Sequence, residues 1–126
     1  MRKNISSGSP WEEIVGYSRA VRIGNVVEVA GTTAMDADKL VGADNLYEQT
    51  AFIFRKIEKA LIEAGAGMSD VIRTRMYVTD ISKWEEAGRA HAEFFTGVKP
   101  VATMVEVSKL IGDDLLIEIE VTAIIE

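Results

Sequence analysis

The sequence predicts an α+β domain in which one mixed β-sheet carries two helices on a single face. Segments that alternate apolar and polar residues stand near both ends and in the middle of the chain, and two amphipathic helical segments separate them. The chain has 126 residues, of which 48% are hydrophobic and 27% charged. These values are typical of one globular domain, so we assign residues 1–126 to a single domain.

The composition excludes several kinds of functional site. The chain has no cysteine, which rules out disulfides, thiol nucleophiles and thiolate metal sites, and its one histidine rules out a His-rich metal site. We therefore expect no metal and no cofactor. The net charge of −6 repels a phosphate backbone on average, so nucleic acid is not the expected partner. Because it lacks a membrane-length apolar run and a signal-peptide pattern, the sequence predicts a cytoplasmic protein that does not bind membranes.

The first part of the chain predicts a short helix followed by a β-hairpin. Residues 4–9 are polar and show no strand pattern, and Ser9 is a favoured residue for the N-cap of a short helix. A strand over residues 17–23 then returns as a strand over residues 26–30 through a two-residue Gly-Asn turn.

The middle of the chain predicts a long helix and a central strand. After a polar loop over residues 36–44, apolar residues recur every three or four positions from Asn45 to Ala64, which indicates a helix of about five turns. A strand is expected over residues 71–79. Alternation there assigns Ile72 to the apolar set that faces the helices.

The last part of the chain predicts a second helix and two strands. A capping-box pattern at Ser82 begins a helix that runs to about Phe95. His91 falls near the apolar stripe of this helix, so we expect a partly buried histidine with a structural role. Strands are expected over residues 101–109 and 115–125.

The predicted sheet has a polar face opposite the helices. Alternation assigns to it the following side chains: Arg73, Arg75, Tyr77, Glu118, Glu120 and Thr122. A partly polar sheet face is a natural place for subunits to meet around ligand-binding clefts. Two interpretations are open for the arginines. In the first, the arginines form cross-strand ion pairs with the glutamates. In the second, one of them binds an anionic ligand, and Arg75 is the first candidate.

Short segments along nearly the whole chain match one protein family, and they occur in the family's order. They are Gly16-Tyr17-Ser18-Arg19-Ala20-Val21, Val29-Ala30-Gly31-Thr32, Tyr77-Val78-Thr79-Asp80, Val105-Glu106-Val107 and Ile117-Glu118-Ile119-Glu120-Val121. On these segments the chain resembles the RidA/YjgF family, whose other name is endoribonuclease L-PSP.

The resemblance implies a fold, an assembly and an activity. The fold is chorismate-mutase-like, and three subunits join their sheets into a central barrel with a ligand cleft at each interface. Well-studied members hydrolyse reactive enamines and imines to ketoacids and ammonia without a cofactor. At the matching positions, Glu118 is the expected catalytic residue that positions water, and Tyr17, Gly31 and Thr32 are expected to contact the substrate.

The sequence departs from this family at three positions. Ala30 stands where the family has a serine before the turn glycine, Gly88 stands where it has an asparagine of the second helix, and the third departure is at a substrate-binding position. Family members carry an arginine two residues after a proline of the penultimate strand, and it binds the substrate carboxylate. Here the residue two after Pro100 is Ala102, whose methyl group cannot bind a carboxylate. The chain therefore looks like a divergent branch in which Ala102 and Thr103 line an altered substrate site. Arg75 or another arginine is the candidate for binding the anion instead. Arg19 is free to reach the cleft from the hairpin, but we expect it to be solvated or ion-paired.

Three functions are compatible with these patterns. The first is binding of a small anionic metabolite in clefts between the subunits of a homotrimer, with deamination of an altered enamine or imine substrate. The second is a non-catalytic metabolite-binding or protein-interaction module on the same trimeric scaffold, which the missing arginine favours. The third is a ribonuclease, which the negative net charge and the single histidine argue against.

Overall fold

The chain forms three helices and eight strands, and the computed structural model describes all 126 residues. The helices are α1 (Pro10–Val15), α2 (Leu46–Glu63) and α3 (Trp84–Phe95). The strands are β1 (Arg2–Ile5), β2 (Ala20–Ile23), β3 (Val26–Thr32), β4 (Met35–Asp36), β5 (Lys39–Leu40), β6 (Val71–Val78), β7 (Val101–Glu106) and β8 (Ile117–Ile124).

Six strands form one mixed sheet in the order β1-β2-β3-β8-β6-β7. Neighbouring strands are antiparallel except β6 and β7, which run parallel. The strands β4 and β5 form a separate two-stranded hairpin. The predicted α+β class with a single mixed main sheet is therefore confirmed.

The two long helices cover one face of this sheet. Phe54 and Ile57 of α2, Phe95 of α3 and Ile119 of β8 are buried in one hydrophobic core. The Phe54 and Phe95 rings meet edge to face, with centroids 5.1 Å apart, which is a favourable aromatic geometry. None of the helices has both the length and the apolar character that a bilayer crossing requires.

The helix α2 begins and ends where the sequence predicts. The Asn45 side chain accepts a hydrogen bond from the Glu48 backbone N–H at 2.9 Å and so caps the first turn. After Ala64, Gly65 takes the left-handed conformation with φ of +88°, which glycine adopts without strain. This helix positions Gln49 and Lys56, whose side chains bind loop carbonyls.

The N-terminal segment and the connecting loops differ from the sequence predictions. Residues 2–5 form β1, which pairs with β2 over its full length. Only Ile5 of this strand is buried, so its sequence lacks the apolar alternation that marks a strand. The strand β2 begins at Ala20, three residues later than predicted, and the loop over residues 36–44 contains part of the β4–β5 hairpin.

A β-bulge reverses one side chain of β6. Val71 pairs with Ala123 and Arg73 with Thr122, so Ile72 is an extra residue on this strand. Ile72 is consequently 45% exposed and Val71 is buried in its place, contrary to the prediction.

The remaining differences concern element ends. The strand β7 ends at Glu106, and β8 is shorter than predicted at both ends. The Asp80 side chain, rather than that of Ser82, caps the short 3-10 turn that precedes α3.

Candidate functional site

The polar face of the sheet lies where the alternation pattern predicts. Met76 and Val78 of β6 are buried on the helix side, and the residues between them point to the opposite side. The register brings Arg75 opposite Glu120, and Tyr77 opposite Glu118, on this second face.

Glu120 is held by two partners from β6. The Tyr77 hydroxyl donates a hydrogen bond to Glu120 Oε1 at 2.9 Å, and Arg75 Nη1 lies 3.8 Å from the same oxygen. The hydrogen bond to Glu120, together with burial, raises the pKa of Tyr77. Arg75 therefore forms the cross-strand ion pair that was one of its two predicted roles.

Glu118 lies in a different environment from Glu120, although both belong to the same face of β8. It is half-buried, and burial raises the pKa of its carboxyl group. The positive charge of Arg19 opposes this increase, and the negative charge of Glu120 adds to it. The chain contains one salt bridge, and Glu118 does not take part in it. The Glu118 carboxyl group therefore holds its proton to a higher pH than an exposed glutamate does.

A bulge in β3 places backbone beside the Glu118 carboxyl group. Val29 pairs with Val121 and Thr32 with Ile119, so β3 has one more residue than β8 over this stretch. A Cβ atom on Gly31 would overlap Glu118 Oε2. The glycine thus leaves the space that the carboxyl group occupies.

Arg19 holds this bulge in place. Its Nη1 donates hydrogen bonds to the Gly31 carbonyl and to Thr32 Oγ1, each at 2.9 Å. The Thr32 hydroxyl in turn donates to the Ala30 carbonyl at 2.8 Å. The buried Thr32 hydroxyl is therefore engaged within the chain, and it supports the bulge from the inside.

The polar face borders an open cavity of about 1070 Å³. Its wall includes Tyr17 after α1, Ala30 of β3 and the Arg75–Glu120 pair. The Tyr17 ring lies near Arg19, with its centroid 5.8 Å from the guanidinium carbon. Tyr17 and Arg75 of the predicted site thus share this cavity.

The two β7 residues of the predicted site lie elsewhere. Thr103 is the neighbour of Arg75 in the parallel register, whereas Ala102 is the neighbour of Thr74. Both β7 residues are exposed at the edge of the sheet. Two strands separate β7 from β3, which corresponds to about 14 Å at the usual strand spacing. One chain therefore does not bring Ala102 and Thr103 next to Gly31.

Two basic residues near the bulge were not among the predicted site residues. Arg19 was expected to be solvated or ion-paired, but it bonds to the neutral acceptors of the bulge. Lys56 Nζ donates to the Thr33 and Met35 carbonyls at 3.0 and 2.8 Å, and burial together with the charge of Arg19 lowers its pKa. Neither arrangement has a local sequence pattern, because the contacts join distant parts of the chain.

His91 has the structural environment that its sequence position predicts. Its Nε2 lies 2.9 Å from Thr74 Oγ1, and its ring packs against Phe54 and Phe95. Burial lowers the pKa of His91. No group of three or more His, Cys, Asp or Glu residues is arranged to hold a metal ion.

Comparisons with known proteins place the chain in a family. The family described as Endoribonuclease L-PSP matches residues 9–125. The uncharacterized protein SCO2049 of Streptomyces coelicolor is 43% identical over 121 residues, which cover 96% of this chain and 90% of that protein. A RutC family protein of Pyrococcus abyssi is 36% identical over 109 residues, which cover 85% of this chain and 84% of that protein.

A solved structure agrees with these sequence matches. The crystal structure of Rv2704 from Mycobacterium tuberculosis, a member of the YjgF/YER057c/UK114 family, superposes with a TM-score of 0.91. The two sequences are 51% identical, and the match covers 99% of this chain and 100% of that one. The chain therefore belongs to the endoribonuclease L-PSP family, also called the RidA/YjgF family, as its sequence motifs predict.

Proposed function

We propose that this protein binds a small anionic metabolite on the polar face of its sheet and hydrolyses an enamine or imine there. The observation that supports this proposal is the environment of Glu118. Its carboxyl group is half-buried, has a raised pKa and lies against the glycine of the β3 bulge. Proton transfer is favoured when the pKa of the group approaches the working pH, and burial moves the pKa of Glu118 in that direction.

The proposed reaction needs only water and one acid–base group. Glu118 accepts a proton from water while the water oxygen bonds to the carbon of the C=N group, which gives a carbinolamine. Glu118 returns this proton to nitrogen, and it then takes the hydroxyl proton of the carbinolamine and passes it to nitrogen as well. The C–N bond breaks as the C=O bond forms, and ammonia and a ketoacid leave with Glu118 ionised again. Backbone N–H groups of Gly31 and Thr32 are the proposed donors to the developing charge. The reaction needs no cofactor.

We propose that a homotrimer completes the site. Within one chain, Ala102 and Thr103 lie at the far edge of the sheet from the bulge, so a second chain is needed to bring the two regions together. Val101 and Val105 of the same edge strand are 56% and 43% exposed, and an interface would bury them. Sedimentation analysis should give three times the 13.8 kDa chain mass. A monomer at micromolar concentration would contradict this assembly.

The reaction can be tested with freshly generated 2-aminoacrylate. Ketoacid and ammonia release should depend on the protein, and Glu118→Gln should reduce the rate about 100-fold or more, the usual contribution of a general acid–base group. Glu120→Gln is the matched control, because that residue lies two positions away on the same face and is bound by Tyr77. Equal rates for Glu118→Gln and the wild type would refute the catalytic role.

A non-catalytic function is the second candidate, and Ala102 is the observation that favours it. Its methyl group offers no charge for a substrate carboxylate. In this case the protein would bind small carboxylates in the same cytoplasmic clefts but release no ammonia from any of several imines. Saturable binding without hydrolysis would therefore favour the binding module over the enzyme.

A further inference from the structure

We propose that Arg19 binds the carboxylate of the ligand through the free edge of its guanidinium group, beside the β3 bulge. This inference rests on the proposed function, because it assumes that the polar face binds small anions. It names the residue that replaces the missing cation at position 102, and it favours ligands that carry a carboxylate next to the reacting carbon.

The hydrogen bonds of Arg19 leave one edge of its guanidinium group unused. Nη1 donates to the Gly31 carbonyl and to Thr32 Oγ1. Nε is buried and has no hydrogen-bond partner, and it is the only buried side-chain N or O atom of the chain in that state. Nε and Nη2 together form the planar edge that binds a carboxylate through two parallel hydrogen bonds. A ligand carboxylate on this edge would satisfy the buried donor.

Arg19 forms no salt bridge, although its charge favours the ionised form of Glu118 and Glu12. Its observed partners are a carbonyl and a hydroxyl, both neutral, and the chain's one salt bridge joins Arg75 to Glu120. Lys56 is close enough for the charge of Arg19 to lower its pKa, so a second positive group adds to the local potential. Arg75, by contrast, already has an anionic partner and gains less from a ligand.

The position of Arg19 places the proposed anion site near the proposed acid–base group. Gly31 accepts a hydrogen bond from Arg19 and also lies against the Glu118 carboxyl group. The charge of Arg19 also acts on Glu118, so the proposed anion site and the proposed acid–base group are neighbours. The Tyr17 ring centroid lies 5.8 Å from the guanidinium carbon. These relations fit a 2-imino acid or its ketoacid product.

The inference can be tested by calorimetric titration with pyruvate and with neutral pyruvamide. The wild type should bind pyruvate at least about tenfold more tightly than pyruvamide, since only pyruvate makes the charged bidentate pair. Arg19→Gln should abolish this preference. Arg22→Gln is the matched control: it removes an arginine of the same hairpin that also bonds to backbone carbonyls, and it should keep the preference.

Three results would overturn the assignment to Arg19. They are a wild type that does not distinguish the two ligands, a folded Arg19→Gln that still does, and an Arg75→Gln variant that loses the preference in its place. Arg19→Lys covers the case in which Arg19→Gln fails to fold. Lysine keeps the charge without the planar fork, so the preference should fall at least about fivefold, and an unchanged preference would refute the bidentate geometry.

The same titrations separate this inference from the proposed function. Glu118→Gln should keep the preference for pyruvate over pyruvamide while losing imine hydrolysis. Carboxylate binding through Arg19 in a protein that hydrolyses no imine would refute the enzyme and leave the Arg19 assignment standing. Hydrolysis at the wild-type rate by Arg19→Gln would refute the Arg19 assignment alone.

Discussion

The carboxyl group of Glu118 occupies the space that a side chain at Gly31 would fill. A Cβ atom built on Gly31 would overlap Oε2 of Glu118 and lie 3.0 Å from its Cδ. Gly31 does not have a positive φ angle, so the backbone itself would accept alanine. The glycine is needed for the space that it leaves, and the two residues act as a unit across β3 and β8.

Gly31→Ala should therefore impair the site more than the fold. The atom that alanine displaces is the end of a flexible side chain, so we expect the melting temperature to change little. We expect kcat/KM for imine hydrolysis to fall at least about tenfold, because a misplaced catalytic group reduces the rate. Gly97→Ala, at a glycine with open space around it and no positive φ, is the control and should change neither quantity. Unchanged kcat/KM in Gly31→Ala would contradict the role of this contact.

Glu118→Gln should be more stable than the wild type at neutral pH. Burial raises the pKa of Glu118 above its ordinary value of 4.5, so the folded protein binds this proton more tightly than the unfolded chain. The resulting stabilisation is complete below pH 4.5 and is lost as the pH rises through the folded-state pKa. The stability advantage of the glutamine variant should therefore grow over this range and then level off. Urea unfolding between pH 4 and 8 measures it, and a pH-independent difference would count against the burial effect.

His91→Gln should reduce the loss of stability in mild acid. Burial lowers the pKa of His91 below 6.5, so the unfolded chain takes up the proton first as the pH falls. Stability is therefore complete above pH 6.5 and declines below it toward the folded-state pKa. Glutamine retains a polar group for Thr74 and does not titrate. Thermal unfolding at pH 7.5 and 5 should show a smaller decrease for the variant, and an equal decrease would contradict this explanation.

Gly88→Ala should stabilise the protein. Gly88 lies inside α3, and a Cβ atom there would lie 3.7 Å from the Trp84 ring, an ordinary van der Waals distance. Replacing glycine by alanine within a helix raises the free energy of unfolding by about 0.5–1 kcal/mol. Chemical denaturation can resolve this difference. A destabilised variant would mean that this surface of α3 requires a residue without a side chain, for instance at an interface.

Ala102→Arg should strengthen carboxylate binding if a trimer brings β7 to the site of a neighbouring chain. The exposed edge position accepts a long side chain without disturbing the core. A second guanidinium group in the cleft should increase affinity for pyruvate about tenfold. The double variant Ala102→Arg/Lys99→Gln has the net charge of the wild type, so it controls for long-range attraction of the anion to the protein. Lys99 suits this purpose because it is also exposed, near the start of β7. No gain in affinity would place β7 outside the cleft.

The sequence alone determined the class of fold, the family and the polar face. Alternation in β6 and β8 assigned Arg75, Tyr77, Glu118 and Glu120 to one side, because successive side chains on a strand point in opposite directions. The apolar periodicity of α2 and the glycine that follows it placed this helix within one residue of its observed ends. These signals are local, so they can be read without knowing which distant segments meet.

Only the tertiary structure decided the partners of these side chains. The bulges at Ile72 and in β3 depend on the register with β8, and the extra residue in β6 turns the Ile72 side chain to the opposite face. No local pattern distinguishes Arg19 from the other arginines of the sequence, yet its bonds to Gly31 and Thr32 leave its Nε buried without a partner. Long-range packing fixes both features, because it determines which donor meets which acceptor and which donor is left without one.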